Sequence, residues 1–361
     1  MISYPNQAIL AVFCSLIPEV ASLWAEEVPI YDQSAMYACQ NSWDLTFNAD
    51  YLYWAWEQSF LPVATITTPT RSGSSGLING TKKIVFQEPG YSSGFQVGLG
   101  CNFHGMDDWR FKADFTWYEN TSHLTTIPKN GQYLAVASAL TATPNSIAAG
   151  ALLSGNLQTS AQLQFDELDT TLQRMFYQGK CLTAQFRMGL KTLWIDQNLS
   201  AASSDLSFIG TNVPFEVPLG GAFLTSAVTK SWALGPIFGT EVQWLLPYGL
   251  SVEGDLALSF VYTNYTTLQV SVVGQVIETG SADFLLNQPN HYATVNPIVE
   301  TCLGLGWGSY LCHENLYLKF FAGYDFNVYW SRNVLSSLVG DNNSPGNMYL
   351  QGLNIKAQID F

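Results

Sequence analysis

The chain ends on Leu350-Gln-Gly-Leu-Asn-Ile-Lys-Ala-Gln-Ile-Asp-Phe361. From Leu353 onward the odd positions read Leu, Ile, Ala, Ile and Phe, and the even positions read Asn, Lys, Gln and Asp. Side chains alternate between the two faces of a strand, so this segment has one apolar face and one polar face. Two architectures use such a strand. It can be the edge of a soluble sheet, or the closing strand of a membrane barrel, which characteristically ends on an aromatic residue. The choice falls to the rest of the chain.

Of the 361 residues only 12% are charged, while 14% are aromatic, with 11 Trp and 29 Gly. A soluble domain carries about twice that charge. No apolar run approaches the roughly 20 residues of a spanning helix. Only helices and closed barrels satisfy their backbone groups in lipid, so few charges, many aromatics and no spanning helix point to a barrel with outer-membrane lipid as its surroundings. The net charge of −14 argues against a nucleic-acid partner. Residues 1–25 read as a cleaved signal peptide: Ala8 to Ile17 is apolar, and small residues follow up to Ala25 before Glu26-Glu27. Residues 26–361 are then a single transmembrane domain.

Upstream of the terminal strand the same alternation recurs in Trp43–Tyr53, Phe95–Phe103, Trp109–Trp117, Leu163–Tyr177, Leu182–Trp194, Trp232–Trp244, Leu250–Tyr262, Val295–Trp307 and Leu316–Trp330. With the terminal segment that predicts about ten antiparallel strands, 12 if the loops hide another pair. The connections alternate long and short. The predicted loops are 62–89, 119–161 (with room for a short helix in the Ala-rich part, Tyr133 to Leu153), about 197–229, 263–292 and 331–346. Long extracellular loops and short periplasmic turns are the asymmetry of outer-membrane barrels, and both chain ends fall on the short-turn side.

The tryptophans give an independent check. With strand directions assigned, Trp43, Trp109, Trp244 and Trp307 fall at periplasmic ends, and Trp117, Trp194, Trp232 and Trp330 at extracellular ends, with Tyr53 and Tyr262 beside the latter. Trp232 and Trp244 are twelve residues apart. At ~3.3 Å per residue and a tilt near 40° that is roughly 30 Å, close to the ~25 Å apolar band between aromatic girdles. Phe361 joins the periplasmic girdle. The terminal strand therefore reads as the barrel's seal, with Lys356 unusual at a position where many such strands carry Gly.

Leu182-Thr-Ala-Gln-Phe-Arg-Met-Gly-Leu-Lys-Thr-Leu-Trp-Ile-Asp-Gln197 resembles a signature of the Legionella-type major outer membrane protein family, whose homologues serve as porins in environmental chlamydiae. Gly94–Gly100, Gly323–Trp330 and the terminal twelve residues support the resemblance, which covers the strands and not the loops. It implies a pore-forming barrel in the bacterial outer membrane that passes ions and small hydrophilic solutes.

The inward faces carry Asp44, Asp50, Asp114, Asp169, Glu241, Glu253, Asp255, Glu300 and Asp325, with Asp108 and Asp360 nearer the ends, against Arg110, Lys112, Arg187, Lys191, Lys319 and Lys356. An excess of carboxylates lining a lumen favours cations. The same groups can instead pair across a narrow interior and plug it, since ten strands enclose little space. A structural or adhesive surface protein with a closed lumen is the alternative to a pore. A barrel protease would need an Asp–His pair at the extracellular rim to activate water. None of His104, His123, His291 and His313 lies two residues after an acid, so no residue is assigned as catalytic. The scattered cysteines show no metal-ligand spacing, and no cofactor motif is present.

Removal of Cys14 with the signal leaves Cys39, Cys101, Cys181, Cys302 and Cys312, an odd number. Cys39, Cys181 and Cys312 map near periplasmic ends. Because the resemblance extends to chlamydial envelopes, which rely on disulfide-linked proteins, these three are candidates for bridges to other envelope proteins. Reduced thiols or one internal pair are the alternatives. Cys101 is expected to face lipid and Cys302 the lumen.

Overall fold

The computed structural model describes residues 45–58, 62–69, 80–87, 90–103, 109–130, 132–136, 150–210, 217–218, 220–276, 280–287, 292–311, 316–333 and 346–361. The strands are β1 (Leu45–Gln58), β2 (Pro62–Pro69), β3 (Gly80–Phe86), β4 (Tyr91–Phe103), β5 (Trp109–Thr126), β6 (Tyr133–Val136), β7 (Gly150–Gln178) and β8 (Leu182–Gly210). They continue with β9 (Val217–Pro218), β10 (Ala222–Leu245), β11 (Leu250–Val276), β12 (Gly280–Asn287), β13 (Tyr292–Leu311), β14 (Leu316–Asn333) and β15 (Gly346–Asp360).

Ten of these close into a ring. Antiparallel pairing runs β1–β4–β5–β7–β8–β10–β11–β13–β14–β15 and returns from β15 to β1. The terminal strand has a partner on each side: Ala357 stands between Ala49 of β1 and Phe320 of β14. The amide of Phe361 donates to the Leu45 carbonyl at 2.9 Å, extending the seam to the last residue. The shorter strands β2, β3, β6, β9 and β12 attach at the loop end, where Val63 and Ala64 of β2 are buried.

Period-two sequence produces a two-faced wall. Along β1 the even residues from Thr46 to Trp56 are buried, while Leu45, Phe47, Tyr51 and Tyr53 are exposed apolar side chains. Such a surface is unfavourable in water and suits hydrocarbon. Aromatic side chains gather at both ends of the wall. Trp232 is in register with Trp194, which faces Asp166, which in turn faces Trp117. At the other end Trp307 stacks on Phe320 with ring centroids 6.3 Å apart. Trp43 and Asp44 lie outside the described residues.

The expected loops need correction. β8 continues to Gly210 and β10 begins at Ala222, so most of the predicted 197–229 loop is strand. β5 runs on to Thr126, and Tyr133–Val136 and Gly150–Leu153 are strand where the Ala-rich sequence leaves room for a short helix. The 62–89 segment contains the β2–β3 hairpin, and 263–292 contains the end of β11 and all of β12. The cause is physical. Beyond the girdle a strand no longer faces lipid, so its outer side chains are free to be Ser, Asn or Ala, and the apolar alternation fades while the ladder continues. Asn198, Ser200 and Ser204 outline such a face on β8, opposite buried Leu199, Ala201 and Ser203.

The seam is closely packed. A Cβ on Gly352 of β15 would meet the Tyr53 carbonyl oxygen and, at 2.9 Å, the Trp54 Cα of β1. Gly352→Val is therefore expected to destabilise the barrel by about 1–3 kcal/mol through overpacking. Gly90→Val, at a position with nothing within 4 Å, should stay within about 0.5 kcal/mol of the parent. The urea midpoint of the refolded protein, followed by tryptophan fluorescence, measures both.

Candidate functional site

The inward face changes character along the barrel. At mid-height it is charged; toward the loop end it is apolar. The charged part is assembled from strands distant in sequence, and most of its groups are ion-paired. Arg187 of β8 meets Asp255 of β11 at 2.6 Å, and Lys319 of β14 meets Glu253 of β11 at 2.7 Å. Lys112 and Asp114, both on β5, lie 3.0 Å apart. Lys356 of β15 reaches Asp50 of β1 at 3.5 Å and lies 5.8 Å from the centre of the Phe321 ring. The residue that looked out of place in the terminal strand thus supplies the counter-charge for a carboxylate across the seam.

Lys191 of β8 is the centre of the group. It is fully buried, and its Nζ lies 2.7 Å from Glu167, 2.8 Å from Asp169 and 2.8 Å from Glu300. Oxygens of these three carboxylates converge within 4.8 Å of one another, a donor set of the kind that holds a metal ion. Here the chain's own ammonium occupies that place. Glu167 and Asp169 belong to the neighbouring β7, whereas Glu300 is on β13, so the contact spans the interior. A buried cation of this kind is tolerated only because it is fully paired.

Among these groups lies a cavity of about 130 Å³, room for several waters. Its lining includes the carboxylates of Asp114, Glu167, Asp169, Glu241, Glu253, Asp255, Glu300 and Asp325 against the cations Lys112, Arg187 and Lys356. Neutral groups also donate to several of the acids: Gln185 Nε2 to Glu241 at 2.6 Å, Ser251 Oγ to Glu253 at 2.7 Å and Trp54 Nε1 to Asp325 at 3.1 Å. Cys302 lines the same cavity, whereas Cys101 has the parity of lipid-facing Leu99 and Phe103. Arg110 sits apart near the turn end, where its Nε donates to Asn102 at 2.6 Å.

Loop-ward of the charged storey the inward side chains form a continuous apolar cluster that includes Leu52, Trp54, Tyr118, Phe165, Leu193, Ile195 and Tyr329. β7 and β14 are five strands apart by either route around the ring, yet the rings of Phe165 and Tyr329 lie 5.6 Å apart, edge to face. β8 and β15 are likewise opposite, and Gln197 Nε2 lies 3.5 Å from Met348 Sδ. The lumen is bridged across its full width at this level.

The sequence singles out neither Glu167 nor the aromatic layer. Glu167-Leu168-Asp169 does alternate, and that was its available signal. The layer had none, because Phe165 and Tyr329 become neighbours only when the ring closes. Of the cysteine candidates, Cys181 is exposed at the turn end with a free thiol, and Cys39 and Cys312 lie outside the described residues. His123 stands on the outer face of β5 opposite Ser160.

A protein family described as Legionella pneumophila major outer membrane protein precursor matches residues 37–361. No curated protein matches the chain by sequence. Among solved structures, the outer membrane protease OmpT from Escherichia coli is similar at 9% identity, with 91% of this chain and 99% of that one covered and a TM-score of 0.30. A major outer membrane protein from Thermus thermophilus is similar at 10% identity, 88% and 99% coverage and a TM-score of 0.28. The toluene transporter TodX from P. putida follows at 8%, 89% and 90%, and 0.20. At these scores none of the three bears on what this chain does.

The pairing around Lys191 has a direct energetic consequence. Lys191→Met leaves three buried carboxylates without their cation and is expected to cost about 3–5 kcal/mol. Lys230→Met breaks the outward-facing pair with Asp196, whose side chains are 53% and 42% exposed, and should cost no more than about 1 kcal/mol. Equilibrium unfolding of the two variants in detergent, each against the parent, separates these values.

Proposed function

Because the chain belongs to the Legionella-type major outer membrane protein family, it is a protein of the bacterial outer membrane, and we propose that it is a narrow, cation-preferring diffusion channel for ions and small hydrophilic solutes. The observation that carries this reading is the 130 Å³ cavity at mid-lumen, whose lining holds more carboxylates than cations. Each buried ionised group costs free energy to desolvate, and a closed interior could be filled with apolar side chains at no such cost. Fixed negative charge around a small aqueous space attracts cations and excludes anions.

A second reading has its own support. The contacts Phe165–Tyr329 and Gln197–Met348 bridge the lumen, as a structural or adhesive surface protein with a closed interior would require. Planar-bilayer recording of the refolded protein decides between them. The channel reading expects small, brief current steps that carry cations in preference to anions. A folded barrel that inserts without producing steps is the result of the second reading.

The exposed Cys181 also makes the turn end a candidate point for disulfides to other envelope proteins. Native envelopes run with and without reductant should then show a high-mass species that collapses to monomer. Unchanged monomer mobility would remove the bridge.

A further inference from the structure

We infer that Arg332 binds one small oxyanion, a carboxylate or phosphate group, inside the loop end of the barrel. The inference does not depend on whether the lumen conducts. The inward cations at mid-height follow a rule: Lys112, Arg187, Lys191, Lys319 and Lys356 each lie within 3.5 Å of a carboxylate. Arg332 breaks it. Its side chain is 3% exposed, and Nε, Nη1 and Nη2 all lack a hydrogen-bond partner among the described residues. The groups close enough to act on its charge are the hydroxyls of Tyr265 and Tyr329, and no carboxylate is among them. The Tyr265 hydroxyl is itself buried without an aligned hydrogen bond.

The backbone is built to put that charge inside. Arg332 is even-numbered, like the outward Phe320, Tyr324 and Phe326, and in an unbroken strand it would share their face. Instead β14 carries an irregularity: Tyr329 and Asn333 are four residues apart, whereas their partners Met348 and Gly346 are two apart. Ser331 takes a φ of 53°, a left-handed conformation that costs a non-glycine residue free energy. Both neighbouring strands hold it there. Asn296 Nδ2 of β13 donates to the Trp330 and Ser331 carbonyls at 3.0 and 3.3 Å. From the other side, the Ser331 amide donates to Asn347 Oδ1 of β15 at 3.1 Å. A bulge re-aims a side chain, and this one turns Arg332 toward Tyr265 and Tyr329.

A guanidinium cannot shed its proton, so it stays charged when buried and needs a counter-charge that water does not supply. Its planar fork matches two oxygens of a carboxylate or phosphate, and the Tyr265 O–H is a further donor beside it. Turn-ward of this level the cavity is lined with carboxylates that repel anions, so the ligand comes from the loop side.

Equilibrium dialysis of the refolded barrel against radiolabelled acetate, and separately against inorganic phosphate, tests the site. A bulky sulfonate holds the ionic strength, and heat-modifiable electrophoretic mobility checks the folding of each variant. The parent is expected to take up a single equivalent of at least one of the two anions, which identifies the group as carboxylate or phosphate. Arg332→Met should lose that uptake. Tyr265→Phe, which keeps the ring and drops the hydroxyl, should need several-fold more anion to fill the site. Uptake that Arg332→Met leaves unchanged, or that Tyr265→Phe leaves unchanged where Arg332→Met does not fold, would overturn the site. No saturable uptake by the parent would also overturn it and leave the guanidinium to water. Displacement of the label by chloride as readily as by the unlabelled oxyanion would overturn the assignment to oxyanions.

Discussion

A backbone N–H or C=O left unpaired in hydrocarbon costs several kcal/mol, and this structure answers that constraint by leaving its membrane sheet no edge. The answer depends on one strand. β15 must hydrogen-bond to β14, its neighbour in sequence, and to β1, some 300 residues away. Everything else follows from that closure. The outer face is free to be Leu, Phe and Tyr because lipid replaces water against it, and the inner face is sealed from lipid and can hold charge.

Closure at ten strands then limits what the interior can contain. A ring of this size has little room for bulk water, so charges placed inside must find one another. Lys191 with its three carboxylates, Arg187 with Asp255 and Lys319 with Glu253 are the result. Arg187–Asp255 and Lys319–Glu253 join strands two places apart in the ring and Lys191–Glu300 strands three apart, so they brace it as well as line it. One storey higher the same narrowness lets Phe165 and Tyr329 touch from opposite walls. A wider barrel with the same inward residues would have an open channel and unpaired charges.

How much of this was legible in the sequence depended on what the bilayer imposes. Where strands face lipid the apolar alternation is strict, so the ten membrane strands can be read from residues alone. Where β7, β8, β10 and β11 leave the membrane, Ser, Thr, Asn and Ala replace the apolar face, and segments such as 197–210 read as loop. Parity points charges such as Asp50 and Glu253 inward but does not name their partners. Pairing across the lumen depends on which strands lie opposite, and that is a property of the closed ring rather than of any local stretch. Lys356 shows the difference well, unusual in its own strand and accounted for by Asp50 in the next.

If the charged storey is an aqueous space that favours cations, Cys302 in its lining is a native reporter of it. The direct measurement is the rate at which Cys302, with the other cysteines replaced by serine, reacts with methanethiosulfonate reagents of equal size and opposite charge in the refolded barrel. Reaction with the cationic reagent several-fold faster than with the anionic one is the predicted result. No reaction with either, or equal rates with both, would contradict the claim.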